Sequence, residues 1–366
     1  MKVAVAGIGR MGQAICYAMC KLGHQVVGLD SNPEAGQVFR KYISASDGVF
    51  YGCGERDYKD ILTNFEAPEV LISSLPYHQN LPLAEFCVDR GIRYCDLGGR
   101  VDVSKQINQY AEEHATRPVM TDLGLAPGWV NILAEWGYKE IQGVPERVEM
   151  MVGGLPSKPV NHPLDYVVTW SVDGLINEYR DRCEILEGGK IITVDGMDGH
   201  EAVKLKCMRQ EMEAFYTSGG ASHTIHDMKS RGVKDCHYKT IRYKGHCDAV
   251  KFLIRKCKLS DDCLFQIFSE GCRQSDEDQD IVIIKTELKK GALRWKKEIL
   301  VESDGDFSAM QRATAFPIAA VASLMGEGII ADEIRNNDST SCVLSYKDIP
   351  FDAFNSRLEK LGLTST

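Results

Sequence analysis

The sequence predicts an α/β chain in two parts. An N-terminal doubly wound parallel sheet is followed by a second α/β domain on a mixed sheet, and a C-terminal helix returns to the first domain. Three observations predict this. From Met1 to about Thr121, short apolar runs alternate with helical stretches, the pattern of a parallel sheet covered by helices. Directly after the first apolar run comes Gly7-Ile8-Gly9-Arg10-Met11-Gly12. Beyond Gly128 the texture changes to longer strands, which suit a mixed or antiparallel sheet.

In the first part six strands are expected: Lys2 to Ala6, Gln25 to Asp30, Gly48 to Tyr51, Val70 to Ser74, Tyr94 to Leu97 and Arg117 to Thr121. Helices start near Met11, Pro33, Tyr58, Leu81 and Val103. Asn32-Pro33 supplies a capping side chain and then a proline suited to a first turn. In the second part the expected strands are Val148 to Gly153, Lys190 to Val194, His237 to Tyr243, Gln279 to Leu288 and Ala292 to Glu302. Ser308 to Gly328 reads as one long apolar helix that Pro317 should bend or break. With 366 residues, too many for one ordinary core, the domains are placed at 1–125 and 126–307, with a returning segment at 308–366.

Composition narrows the function classes. The chain is 44% hydrophobic and 26% charged, as in an ordinary globular protein. A formal net charge of -9 argues against nucleic acid or an anionic membrane as the main partner, because both require a basic surface. Met1-Lys2-Val3-Ala4-Val5 carries no signal-peptide pattern and no stretch has transmembrane length, so a cytoplasmic protein is expected. The 13 cysteines are scattered without a C-x-x-C pair and read as small buried apolar side chains. His223 and His226 lack a third ligand at a recognisable spacing, so no metal is expected. Asp276-Glu277-Asp278 reads as a solvated loop.

Val3 to Ala6, the glycine loop and the helix after it provide the full context of a dinucleotide fingerprint. Gly7 makes the tight turn, Gly9 lets the backbone approach a pyrophosphate, and Gly12 lets helix and strand pack closely, with Ile8, Arg10 and Met11 between them. The helix N-terminus adds free N–H groups and the positive end of its dipole. Asp30 closes the second strand, where a carboxylate accepts hydrogen bonds from ribose hydroxyls and repels a 2′-phosphate. Neither Ser31 nor Asn32 reverses that preference, so NAD is the expected cofactor of this Rossmann domain. Ligands of such sheets lie beyond the carboxyl ends of the strands, which brings in Ser74, Leu75, Pro76 and Tyr77 after the fourth strand and Asp96 and Gly98 after the fifth.

Several stretches now resemble the saccharopine dehydrogenase family, and among its branches the short lysine 6-dehydrogenases. They are Cys95-Asp96-Leu97-Gly98-Gly99 and Asp122 to Asn131, then Gly153-Gly154-Leu155-Pro156, Asn161-His162-Pro163-Leu164, Trp170-Ser171 and Gly174 to Tyr179. Phe215 to Gly219, Thr240 to His246 and Met310 to Thr314 continue the series. The resemblance implies a Rossmann domain, a second α/β domain carrying an amino-acid substrate, and a homodimer joined largely through that second domain. Longer, usually NADP-preferring members often carry a carboxylate before the Pro-Gly that here follows Ala126. That departure favours the short NAD-using branch.

The implied reaction moves hydride from an amine-bearing carbon to the nicotinamide, leaving an iminium that water converts to an aldehyde; lysine would give 2-aminoadipate semialdehyde. Saccharopine oxidation and carboxyspermidine-type reductive amination are the alternatives, and a non-catalytic dinucleotide sensor is the rival from another class. The chemistry needs a proton acceptor, donors for the α-carboxylate and a dry surface. Arg242 is the candidate for the carboxylate, unless it is an ordinary surface cation; Thr240 lies beside it. His246 suits a base, or equally a cap for the helix starting near Cys247. Asp122 can pair with an ammonium or orient a water, or simply bond to the Gly124 turn. Tyr77, Tyr179 and Tyr216 are candidates to shape the pocket.

Overall fold

The computed structural model describes residues 1–54, 57–64, 67–160, 164–273, 275, 279–330 and 341–364. The expectations at Asn161-His162-Pro163 and Asp276-Glu277-Asp278 lie outside the described residues. Two compact units form, one from Met1–Ile132 with Ala313–Thr366 and the other from Leu133–Arg312.

The first unit begins with β1 (Lys2–Ala6), α1 (Arg10–Lys21), β2 (Gln25–Asp30), α2 (Ala35–Tyr42), β3 (Gly48–Gly52), α3 (Asp57–Asn64), β4 (Val70–Ser73), α4 (Asn80–Asp89), β5 (Arg93–Asp96), α5 (Val101–His114) and β6 (Val119–Met120). The strands lie in the order β6-β5-β4-β1-β2-β3, every pair parallel. The order reverses between β1 and β4, so the loops after these two strands open a crevice at the switch point. Each central strand is buried on both faces: Val3, Ala4, Val5, Val70, Leu71 and Ile72 are wholly inaccessible. Asn32 acts as expected, its Oδ1 accepting from Glu34 N at 3.0 Å, although α2 itself starts after the turn this creates.

A seventh strand that the sequence reading did not anticipate, Val343–Leu344, adds to β6 in parallel. Only two residues long, it has too little sequence to show a period. Before it runs the long helix Ala309–Gly326 and after it the helix Phe351–Lys360. The expected break at Pro317 does not occur: one helix continues through it, and Ala315, Phe316, Ile318 and Ala319 around it are fully buried. Burial on all sides outweighs the single backbone bond a proline removes.

The second unit contains β7 (Arg147–Pro156), α7 (Val172–Arg180; α6, Trp129–Glu140, precedes β7), β8 (Cys183–Glu187), β9 (Lys190–Val194), β10 (Glu201–Val203), β11 (Met212–Tyr216), α8 (Thr224–Ser230), β12 (Asp235–Tyr243), α9 (His246–Lys251), α10 (Asp261–Gly271), β13 (Asp280–Lys290) and β14 (Leu293–Glu302). The sheet runs β10-β11-β12-β7-β13-β14, with the β8–β9 hairpin joined through β8 to β12. It is mixed, since β12 and β7 are parallel and the other pairs antiparallel. Strands β8, β10 and β11 were not expected. In β11 the alternation is masked by the buried Glu213.

Alternation along β12 splits the unit's interior. Thr240 and Arg242 share a face with their β11 partners Phe215 and Glu213. Phe215 there joins Tyr166, Leu175, Ile176, Tyr179, Cys247 and Val250 in one apolar cluster. Ile241 and Tyr243 belong to a second cluster on the opposite face, with Met151, Leu155, Ala214 and Ile283. All 13 cysteines are free and most are buried. Among the described residues, no helix is long and apolar enough to cross a membrane, and no three His, Cys, Asp or Glu side chains gather as a metal site.

Candidate functional site

At the switch point of the first unit, three glycines have three different geometries. Gly7 has φ +87°, and a Cβ there would stand 2.9 Å from Ser74 O and 3.0 Å from Leu75 Cδ2. At Gly12 a Cβ would fall 1.8 Å from Gly7 O. Gly9 caps α1 and has nothing within 4 Å of its Cβ position, so this is where the loop lies open to a ligand. Both Gly7 and Gly12 are therefore demanded by the fold, whereas Gly9 is not. No acidic residue sits in the first turn of α1, so its positive end is not neutralised locally. Arg10 is exposed there, Met11 is half-buried, and Ile8 is buried.

Asp30 is tied into the same loop. Its Oδ2 accepts from Ile8 N at 2.6 Å and its Oδ1 from Asn32 N at 2.8 Å, leaving a second lone pair on each oxygen. The residues thus fit an adenine dinucleotide: N–H groups at a helix end, an open glycine and an oriented carboxylate at a strand end. Ser74 and Leu75 touch the Gly7 position, while Pro76 leads into a 3-10 turn at Tyr77–Gln79. Tyr77 is 39% exposed, with the Arg100 guanidinium 5.8 Å from its ring centre.

Beyond β5 and β6 lies a buried pair of carboxylates. Asp96 Oδ1 accepts from Gly98 N at 2.8 Å and Asp122 N at 3.2 Å, and its Oδ2 accepts from Tyr94 OH at 3.1 Å. Asp122 has φ 64°, a left-handed conformation that aspartate tolerates better than most residues. Its Oδ1 accepts from Ser104 Oγ at 2.8 Å and would stand 2.5 Å from a Cβ on Gly98. Burial first, and the neighbouring Asp122 second, push the Asp96 carboxyl up to about 7. Within its unit Asp122 thus sits beside Asp96, held by a serine that sequence reasoning missed. The backbone strain that marks the place leaves no trace in residue type.

This pair carries a prediction. The fold holds the Asp96 proton up to about 7, whereas an unfolded aspartate releases it near pH ~4. Its contribution to stability is therefore complete below about pH 4 and is lost as pH rises toward 7, at up to about 1.4 kcal/mol per pH unit. Asp96→Asn should flatten that slope in thermal melts taken between pH 4 and 8. An unchanged slope would show that Asp96 ionises normally.

In the second unit Arg242, Tyr179 and His246 come together, as do Thr240 and Thr217, whose hydroxyls are 2.7 Å apart. Arg242 is only 3% exposed and is not a surface cation. Its Nε donates to Tyr179 OH at 3.0 Å and its Nη1 to Ile241 O at 3.0 Å, and the guanidinium lies 4.8 Å from the ring centre of Tyr166. Among the described residues no carboxylate lies within ion-pair distance of it. Glu178 acts on it electrostatically, and burial pushes that carboxyl up to about 7 while Arg242 pulls it down.

Two expectations need correction. His246 is poorly built for a base: its Nδ1 is 2.7 Å from Leu164 O, its Nε2 is 3.0 Å from Tyr179 OH, and burial pushes its pKa down to about 3, with Arg242 adding to the effect. Nor does its side chain cap α9; that work falls to Glu213, which accepts from Gly245 N at 2.9 Å and Cys247 N at 2.6 Å. Tyr216 is not part of the Arg242 cluster. It pairs with Lys239 on the opposite face of the sheet, with Lys239 Nζ 4.7 Å from its ring centre, because neighbouring strand residues point to opposite sides.

Comparison with known proteins places this geometry in a family. Rat mitochondrial alpha-aminoadipic semialdehyde synthase is 23% identical over 271 residues, 69% of this chain and 28% of its own length. The Saccharomyces cerevisiae saccharopine dehydrogenase [NADP(+), L-glutamate-forming] is 27% identical over 220 residues, 55% of this chain and 46% of that one. The chain therefore spans less than half the length of these relatives. The structure of apo saccharopine dehydrogenase (L-Glu forming) from Saccharomyces cerevisiae superposes with a TM-score of 0.76 at 15% identity, covering 100% of this chain and 98% of the other, which shows a shared fold. The model of the saccharopine dehydrogenase C-terminal domain matches residues 124–341, more than half of the chain, and the protein belongs to that family.

Proposed function

We propose that the protein is an NAD-dependent dehydrogenase that oxidises the amine-bearing carbon at the end of a lysine skeleton, giving 2-aminoadipate semialdehyde. The observation that carries the substrate class is Arg242, a buried guanidinium with no acidic partner at ion-pair distance among the described residues. A buried charge left in this state is costly, and a substrate carboxylate would offset that cost. Arg242 and Lys239 are the two buried cations among the described residues, and Lys239 is already paired with Glu201 at 2.6 Å. A single unpaired cation supports a substrate with one carboxylate, so free lysine is the first substrate proposed.

NAD, when bound, supplies the hydride acceptor; the chain's own residues do the rest. The loop of Gly7 to Gly12 would take the pyrophosphate and Asp30 the ribose. Arg242 would hold the α-carboxylate, and the apolar side chains around it exclude water. The names of the relatives favour saccharopine as a second reading. Release of glutamate from saccharopine requires oxidation of the lysine-derived carbon, so both readings remove hydride from the same position. They differ in the leaving amine, ammonia or glutamate.

Incubation with NAD and either lysine or saccharopine, followed by assay of ammonia and glutamate, tests the proposal. Ammonia from lysine supports the first reading and glutamate from saccharopine the second, while release of neither contradicts both. Asp30→Ala should raise KM for NAD by roughly tenfold, since hydrogen bonds to a charged group contribute about 1.5–3 kcal/mol, and should narrow the preference over NADP. An unaltered NAD/NADP ratio would remove Asp30 from cofactor choice. A homodimer joined through the second unit belongs to the same proposal, and sedimentation at micromolar concentration checks it.

A further inference from the structure

The hydrogen bonds around Arg242 fix every proton in a chain of four groups. The Leu164 carbonyl can only accept, so the Nδ1 that approaches it at 2.7 Å carries the hydrogen. Burial keeps the His246 ring neutral, and Nε2 is therefore an acceptor. Tyr179 OH, 3.0 Å away, must donate to it. The phenolic oxygen is then free to accept from Arg242 Nε at 3.0 Å. The far end of the chain is equally fixed, since Glu213 ties down the two backbone N–H groups on either side of His246.

Two of the five guanidinium hydrogens are thus occupied. Nε is spent on Tyr179, and one Nη1 hydrogen on Ile241 O. The side-on fork made by Nε and Nη2 is therefore closed to a ligand, and both Nη2 hydrogens and the second Nη1 hydrogen remain. Tyr166 fixes the plane of the fork from its face, 4.8 Å away, and Trp170 Nε1 in turn holds Tyr166 OH at 3.1 Å.

We propose that Tyr179 and His246 are positioning residues: a relay from the Leu164 carbonyl through His246 and Tyr179 locks Arg242 so that it turns its Nη donors, and not the side-on fork at Nε, to the carboxylate of an amino-acid substrate. This rests on the functional reading above, but the relay is measurable without a substrate. The groups facing His246 are Tyr166, Tyr179, Phe215 and Arg242, of which only Arg242 is charged at neutral pH.

The test uses full-length wild type, Tyr179→Phe, His246→Leu and His246→Gln, whose amide oxygen replaces the lost acceptor. The Arg242 Nε–H resonance, assigned by its loss in Arg242→Lys, should exchange slowly with solvent in wild type. Exchange should quicken at least tenfold in Tyr179→Phe and His246→Leu and recover in His246→Gln. In steady state the first two variants should raise KM for the amino acid about tenfold, lower kcat far less, and leave KM for NAD unchanged, with His246→Gln restoring the value. Wild-type exchange in Tyr179→Phe would overturn the relay, and so would altered exchange with an unaltered amino-acid KM. A wild-type protein that oxidises no amino acid would overturn the functional reading, and the resonance would still decide whether the lock exists.

Discussion

Replacement of Arg242 by alanine should lower kcat/KM for the amino acid by roughly a hundredfold or more, about 3 kcal/mol, the order expected for a charge-assisted fork to a carboxylate. Dinucleotide affinity should not change, because the glycine loop and Asp30 belong to the other compact unit. Arg242→Lys should recover little of the loss, since an ammonium cannot reproduce the planar fork or bridge to both Tyr179 OH and Ile241 O. Kinetics with NAD held saturating, alongside NADH titration of each variant, check this. Equal losses for amino acid and NADH would mean that Arg242 supports the fold and not the substrate.

The glycine loop should separate stability from binding. In Gly12→Ala the new methyl group would stand 1.8 Å from the Gly7 carbonyl oxygen. Backbone must then move, and the variant should lose a few kcal/mol of stability, on the order of an overpacked core position, together with NAD binding. At Gly9 the Cβ position is open and φ is -72°, so alanine costs the fold almost nothing. Gly9→Ala should melt like wild type and yet bind NAD at least tenfold more weakly, as its methyl group would occupy the approach to the pyrophosphate. Melting curves and NADH fluorescence titrations on the two variants give the contrast. Wild-type NAD affinity in Gly9→Ala would move the dinucleotide away from this loop.

The first unit was legible in the sequence because local signals agree with the fold there. Continuous apolar runs predict strands buried on both sides, the glycine spacing marks the turn, and Asp30 ends β2 where the reading places it. The strand Val343–Leu344 is illegible because pairing with β6, and no period of its own, makes it a strand. In the second unit the long strands β7, β12, β13 and β14 announced themselves, while β11 did not, since Glu213 sits buried at a position that alternation would assign to an apolar residue.

The same contrast holds at the site. Residue type and neighbourhood point to Arg242, and the fold adds what residue type cannot carry: its burial and its bond to Tyr179. For His246, residue type suggests an intrinsic pKa suited to a base, but burial first and the Arg242 charge second push it down to about 3 against the opposing pull of the Leu164 carbonyl, and burial is invisible to spacing. Tyr216 failed by one position of strand register, which is enough to turn a side chain to the opposite face.

The most direct test of the central claim follows the hydride itself. Lysine deuterated at its terminal carbon, and saccharopine deuterated at the corresponding carbon, should each be offered with NAD, and the reduced dinucleotide analysed by mass spectrometry. Transfer of one deuterium to the nicotinamide from either substrate, slowed roughly a hundredfold or more in Arg242→Ala at low substrate, is the predicted result. No reduced dinucleotide from either substrate, or reduced dinucleotide without deuterium, would contradict it.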